Sequence, residues 1–466
     1  MSPLWLVLLA SLVARADDRD DEIFGSSSSS SEGDTGQAPA EAPPQEAPPS
    51  DAALGGPVLS DQQIANKLLA KDSRFTVGGL AYLRLDGSVA EGDDLSTVAL
   101  SSPSFVDLYG DARPNDRLRF YLRGRLYDDL TVQSGDTDAF GNTRVPTRIA
   151  LDQLWLTFDI AHKVFVTAGR QRVKWGVGRL WNPTDFLAPS ALDALTVFDE
   201  RMGVGLVKVL VPVGATGTNI YAIAQLEGAA HPDDIGGALR VEQLLGPVEI
   251  ALDAYARKDR PDKLGGQVSF PLWLFDLKGE VAVQHGVSAP TWQGNLDLAT
   301  LSMPTAVDRS EDWVPQALAS LDLTLRYSDQ DSITFGAEYF FNDLGYADAS
   351  LYPWLLVEGQ FTPFYLGRHY VAAYAYLPAP GRANHHSFTL TGLSNLSDQT
   401  VVGRLDWSAT VLTELSINAY AQVHGGKSGG EFDFALDVPP ITGVLDAGLT
   451  VPRPLVDLGV GAQARF

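Results

Sequence analysis

Arg117–Tyr127 reads RLRFYLRGRLY. The odd positions are Arg117, Arg119, Tyr121, Arg123, Arg125 and Tyr127; the even ones are Leu118, Phe120, Leu122, Gly124 and Leu126. A strand sends successive side chains to opposite faces, so this stretch as a strand has one apolar face and one face bearing four guanidinium groups. As a helix it would scatter both sets around its circumference. Period two is the reading that separates them.

The alternation returns to the C-terminus. Ala81, Leu83 and Leu85 alternate with Tyr82, Arg84 and Asp86; Ile250, Leu252 and Ala254 with Glu249, Asp253 and Tyr255; Leu277, Gly279 and Val281 with Asp276, Lys278 and Glu280. Leu321 and Leu323 flank Asp322, Ala337 and Tyr339 flank Glu338, and Ile417–Val423 repeats the pattern. Weaker segments lie between, among them Phe105–Asp111 and Ile149–Asp159. Most are ~9–12 residues, the length of a tilted membrane strand. The expected fold is all-β: one transmembrane, antiparallel, up-and-down β-barrel of sixteen to eighteen strands over 74–466. A soluble sandwich also alternates. The barrel is preferred because no compositional break divides Phe75–Phe466, and because Tyr109, Tyr127, Tyr327, Tyr339, Phe341, Tyr374, Tyr376 and Trp407 near strand ends suit the two interfaces of a bilayer.

Composition narrows the function. The chain has 466 residues, 45% of them hydrophobic, with a mean hydropathy of -0.02. Beyond the extreme N-terminus no run of ~20 apolar residues occurs, which excludes a polytopic helical membrane protein. With 34 basic and 58 acidic residues the net charge is -24, which argues against a nucleic-acid partner. Cysteine is absent, so disulfides, thiolate metal sites, cysteine nucleophiles and a lipid-anchor cysteine are excluded. The 7 histidines are scattered, and His385/His386 lacks a nearby third ligand, so no metal is expected. There is no H-E-x-x-H, the G-x-S-x-G match at Gly426–Gly430 lies in a Gly-rich gap and not between a strand and a helix, and neither Ser416 with His424 nor Ser387 with His386 assembles into a triad. Neither an enzyme nor a cofactor is expected.

The N-terminal segments read differently. Met1–Ala16, with its apolar run Leu4–Val13 and the small-x-small site Ala14-Arg15-Ala16, reads as a cleaved secretory signal. Residues 17–57 carry Ser26–Ser31, a Pro/Ala/Glu stretch and acidic residues from Asp17 to Asp51 against Arg19 alone. Such a segment buries too little apolar surface to offset chain entropy and is expected to be a disordered linker. Residues 58–73, with Ser60 as N-cap, are expected to form a short periplasmic helix.

The last strand ends on Val456, Leu458, Val460, Ala462, Ala464 and Phe466. It resembles the C-terminal signature of Gram-negative outer-membrane proteins, which implies recognition by the barrel-assembly machinery through Val456, Leu458, Val460 and Phe466. Gly169-Arg170-Gln171, Trp175-Gly176 and Asn182-Pro183-Thr184-Asp185 are similar to a G-R-Q…W-G…N-P segment of porin-like outer-membrane families. These resemblances imply a porin-like barrel in the bacterial outer membrane, surrounded by outer-membrane lipid and compatible with a homo-oligomer. They cover one strand and about seventeen residues, and carry over no solute.

Two groups of residues are candidates for function. Arg117, Arg119, Tyr121, Arg123 and Arg125 would line a lumen, with Glu249, Asp253, Asp276, Glu280, Asp322 and Glu338 as opposing carboxylates, setting a transverse field that biases the passage of small hydrophilic solutes toward anionic or dipolar ones. The bland alternative is a salt-bridge ladder in a plugged barrel. Val173–Arg201 breaks the alternation, and Ser190–Asp199 suggests helical turns. This segment is expected to fold inward and narrow the pore, or to brace the wall, through Arg170, Arg172, Lys174, Trp175, Arg179, Trp181, Asn182 and Asp185. Other long gaps, such as Gly286–Pro315 and Gly425–Pro454, read as extracellular loops opposite short periplasmic turns. The competing functions are a non-transport barrel for adhesion or envelope organisation, and an exporter or importer of polysaccharide or hydrophobic compounds.

Overall fold

The structure is a computed structural model. It describes residues 74–94, 96–136, 143–187, 195, 202–214, 216–296, 302–438 and 449–466. The expected signal, linker and short helix lie outside these, as do nearly all of the helical turns expected over 190–199.

Among the described residues, eighteen antiparallel strands close into one barrel. In chain order they are β1 (Phe75–Ala90), β2 (Pro103–Asn115), β3 (Leu118–Asp129), β4 (Thr147–Ile160), β5 (Val164–Gln171), β6 (Val204–Val213), β7 (Thr218–Gln225), β8 (Gly236–Leu245) and β9 (Val248–Ala256). There follow β10 (Asp262–Leu272), β11 (Phe275–His285), β12 (Trp313–Arg326), β13 (Ser332–Asn342), β14 (His369–Pro378), β15 (His386–Asn395), β16 (Thr400–Leu412), β17 (Leu415–Gly426) and β18 (Pro454–Arg465). Each pairs with its neighbour in sequence. The seam joins β1 to β18, from Leu80 opposite Arg465 to Ala90 opposite Pro454. Beyond it, Gly79 and Phe466 exchange backbone hydrogen bonds of 2.7 and 3.1 Å. Closure leaves no free edge.

Parity decides which side chains meet which environment. In β3, Arg119, Tyr121, Arg123 and Arg125 are buried inside, while Phe120, Leu122 and Leu126 are exposed outside. The outward row stays apolar around the circumference, for example Leu83, Leu108, Leu151, Leu239, Leu252, Val281, Leu321, Leu390, Leu405 and Leu458. The inward row is largely polar. One rim carries tight turns such as Leu245–Val248 and Leu272–Phe275; the other carries 91–102, 130–146, 172–203, 286–312, 343–368 and 427–453.

Two irregularities correct the simple alternation. Opposite Arg123 and Gly124, β4 inserts an extra residue, so Gln153 and Leu151 are paired and Asp152 is passed over. This bulge turns both Asp152 and Gln153 inward, and both are buried. The aromatic girdle is also thinner than expected. Tyr109, Tyr127, Tyr374 and Tyr376 have inward parity, with Tyr109 stacked on Tyr121 at 6.0 Å. Tyr339, Phe341 and Trp407 do face outward.

Inward tyrosines lie flat on glycines of neighbouring strands. A Cβ on Gly459 would stand 2.1 Å from Tyr420 Cε1 and 2.3 Å from Asp86 Oδ1. The ring is held there by its hydroxyl donating to Asp86 (2.9 Å) and by the Arg404 guanidinium 3.7 Å from its centroid. Gly459→Ala is therefore expected to cost about 1–3 kcal/mol. The urea midpoint of the detergent-solubilised barrel measures it, and Tyr420→Ser should relieve most of the loss.

Candidate functional site

The arginine row is neutralised within its own wall. Arg119 makes a two-pronged contact with Asp111, 2.9 Å for each prong. Arg125 does the same with Asp107, at 2.6 and 2.9 Å. Arg123 also reaches Asp107, and lies 3.4 Å from Asp152. Asp107 and Asp111 sit four residues apart on the inward face of β2, and the β4 bulge supplies Asp152. Guanidinium and carboxylate fit as planar forks, and burial makes each fork costly to break. Arg117 precedes β3 on the turn rim, more than half exposed, and pairs with Asp159 at 3.1 Å. Rings interleave this ladder: Tyr121 stacks on Trp155 at 5.2 Å, and Arg125 lies 4.4 Å from the Phe105 centroid.

The carboxylates expected to oppose the row have other partners. Asp253 accepts from Arg240 at 2.9 Å. Asp322 accepts from the Tyr374 hydroxyl and lies 3.1 Å from Lys278. Glu249 and Asp276 are exposed near the turn rim. Glu280 and Glu338 bind backbone, and the backbone belongs to the segment that breaks the alternation.

That segment runs into the barrel. Glu280 Oε1 accepts the N–H groups of Val177 (2.5 Å) and Gly178 (2.9 Å), and its Oε2 accepts the Thr184 hydroxyl (2.9 Å) and N–H (3.2 Å). Glu338 accepts the next two N–H groups, Arg179 at 2.5 Å and Leu180 at 2.9 Å. Both carboxyl groups are 1% exposed, so these bonds satisfy them in a dry setting. Next in sequence Trp181, fully buried, stacks on Phe340 at 5.3 Å and donates its indole N–H to the Phe364 carbonyl at 3.1 Å. Gly178 allows the approach: a Cβ there would stand 2.0 Å from the Trp181 carbonyl oxygen and 2.3 Å from Leu318 Cδ2. Asn182 lies against Gly176. Trp175 and Phe186 pack on Leu206, Ile223, Ala238 and Tyr255 of β6–β9. The visible part of the segment thus touches the wall from β6 to β14.

The remaining candidates fall into place around this segment. Arg179 lies 3.7 Å from the Tyr374 centroid. Arg172 pairs with Asp152 at 3.0 Å. Lys174 and Asp185 are half-buried in the segment, and Lys263 feels the Asp185 charge. Arg170 differs. Its register partners Leu154 and Gly205 have outward parity, and it pairs with Glu227 at 2.7 Å near the loop rim, outside the lumen. Asp107, Asp111, Asp152 and Phe364 were not singled out from sequence. The period-two spacing of Asp107 and Asp111 was the available signal; the bulge at Asp152 and the partner of Trp181 had none.

No protein-family model matches the chain, and no curated protein matches it. Among solved structures, a triple mutant of the porin of Rhodopseudomonas blastica aligns at 10% identity with a TM-score of 0.41, covering 84% of this chain and 100% of that one. OccAB4 of Acinetobacter baumannii aligns at 8% identity with a TM-score of 0.49, covering 84% of this chain and 98% of that one.

Proposed function

We propose that the chain is an outer-membrane channel for passive diffusion of small hydrophilic solutes, narrowed by the inward segment. The observation that carries this reading is the grip of Glu280 and Glu338 on four consecutive N–H groups, Val177 to Leu180, which holds a segment across the lumen side of the wall. The apolar outward row supports it, since a closed belt of exposed Leu, Val and Phe is compatible with lipid and not with water. Outer-membrane lipid is then the solvent of that belt. The terminal strand ending in Phe466 is the segment for the barrel-assembly machinery to read, and a homo-oligomer fits the same reading. Liposome swelling with sugars and amino acids tests it: swelling graded by solute size is expected, and none would overturn it.

The paired charges set the expected selectivity. A ladder of matched Arg and Asp presents local dipoles and little net field, so the reversal potential in a salt gradient should lie close to zero. Replacing Arg119, Arg123 and Arg125 by Gln removes three positive charges, stripping Asp107 of its cations and leaving Asp111 to Arg113 and Asp152 to Arg172, and should shift it towards cation preference. An unchanged reversal potential would place the row outside the conduction path.

A sealed, non-transport barrel is the second reading. It is favoured by the apolar core at the loop rim, where Tyr352, Leu355, Leu356, Leu366, Phe434, Leu449 and Val451 pack together. Absence of swelling with a correctly folded barrel would select it.

A further inference from the structure

Beneath that apolar core lies a buried polar cluster that the channel reading does not use. Glu431, in the 3-10 turn Glu431–Asp433 of the β17–β18 connection, is 3% exposed. Its Oε2 accepts from the Tyr370 hydroxyl and from Asn395 Nδ2, both at 2.7 Å, and its Oε1 accepts the Phe364 N–H. Its own N–H donates to Asp398 Oδ2 at 2.7 Å. Asp398, 2% exposed, also accepts from Asn395 Nδ2 (2.9 Å) and from Thr400 N–H (3.0 Å) and Oγ1 (2.6 Å). Asn395 Nδ2 reaches the Tyr352 hydroxyl at 3.2 Å, in the short helix α1 (Tyr352–Val357). One cluster therefore ties the β13–β14, β15–β16 and β17–β18 connections together at the loop rim.

Its charge balance is unusual. Among the described residues neither Glu431 nor Asp398 forms an ion pair. The nearby basic side chains are engaged elsewhere: Arg453 with Asp433 at 2.6 Å, and His424 with Asp457 at 2.7 Å, its other ring nitrogen lying 3.1 Å from the Phe432 carbonyl. Lys427 acts on Asp348. Two carboxylates sharing one amide in a dry site cannot both be charged cheaply. Burial first, then the Asp398 charge, pushes Glu431 up to about 8, against the downward pull of its bonds from Tyr370, Phe364 and Asn395.

We propose that Glu431 is a proton-operated latch: protonated, it locks the three connections together at the loop rim, and on losing its proton it releases them. The latch is a property of the loops and does not depend on the barrel conducting. Its sign follows from linkage. The proton affinity of Glu431 is higher in the closed latch than in the open one, where an ordinary glutamate titrates near 4.3. The closing stability is fully present below about pH 4.3, is lost by about tenfold per unit as pH rises, and levels off above about 8.

Hydrogen exchange of the full-length protein in detergent tests this on the amides of Phe364, Glu431 and Phe432, with rates corrected for the intrinsic dependence on hydroxide. Protection should fall by about tenfold per unit between pH 6 and 8. In Glu431→Gln it should be flat, because no proton is left to lose. Asp398→Asn removes the neighbouring charge, so the levelling-off should move to lower pH and the total fall should shrink. It also serves if Glu431→Gln does not fold. A flat wild-type profile overturns the latch, as does a Glu431→Gln profile with the wild-type slope or an Asp398→Asn profile identical to wild type.

Discussion

Asp107→Asn is expected to destabilise the barrel by about 3–5 kcal/mol, because removing one partner strands the other charge in a dry site. Here a single carboxylate, 1% exposed, serves both Arg123 and Arg125, themselves 6% and 1% exposed. Asn keeps the shape and one acceptor oxygen but leaves the guanidinium of Arg125 without its two-pronged acceptor. The loss should appear as a lower temperature for the shift between compact and unfolded bands on electrophoresis, and as a lower urea midpoint. A triple replacement, Asp107→Leu with Arg123→Met and Arg125→Met, should recover much of the stability, since apolar packing of similar volume commonly matches a buried ion pair. A wild-type midpoint for Asp107→Asn would mean that the site is wetter than its burial indicates.

The second large effect concerns the inward segment. Replacing both Glu280 and Glu338 by Ala removes the acceptors of five N–H groups and one hydroxyl: Val177, Gly178, Arg179 and Leu180, with both groups of Thr184. Hydrogen bonds to charged groups contribute about 1.5–3 kcal/mol each. Even with strong non-additivity, the segment should come free. Single-channel conductance should rise severalfold, and a protease added to the folded barrel should cut within 172–203. Glu280→Gln alone should do far less, because the amide oxygen still accepts from Val177 and Gly178. Wild-type conductance together with wild-type protease resistance in the double variant would remove the segment from the conduction path.

Most of the architecture was legible in one physical rule, that a strand alternates its faces. Arg117–Tyr127 showed it most clearly because both faces there are chemically pure. The rule also carried the inward parity of Glu280, Glu338, Asp253 and Asp322. It failed where geometry departs from the pleat. The bulge at Asp152 shifts parity by one residue, and no local composition announces a bulge. Tyr109, Tyr127, Tyr374 and Tyr376 were read as interface rings because they lie near strand ends. Their own parity with Asp107, Arg125 and Ala372 placed them inside, and parity is the stronger signal. The partners of the candidate residues were not legible. Glu280 and Glu338 read as pore-lining charges opposing the arginine row because an isolated carboxylate carries no mark of what it accepts. Only the folded segment brings peptide N–H groups to them, over separations of about a hundred residues or more. Arg170 read as part of the constriction because it precedes the segment, whereas its register sends it outside.

The grip on the inward segment has one more consequence. Glu280 and Glu338 hold peptide N–H groups, which every amino acid except proline possesses. The identities of Val177 and Arg179 are therefore uncoupled from the anchorage that holds them. Substitutions there would alter the lining while the fastening stays intact, so diversification of what passes need not endanger assembly. Proline is the one replacement that this freedom forbids.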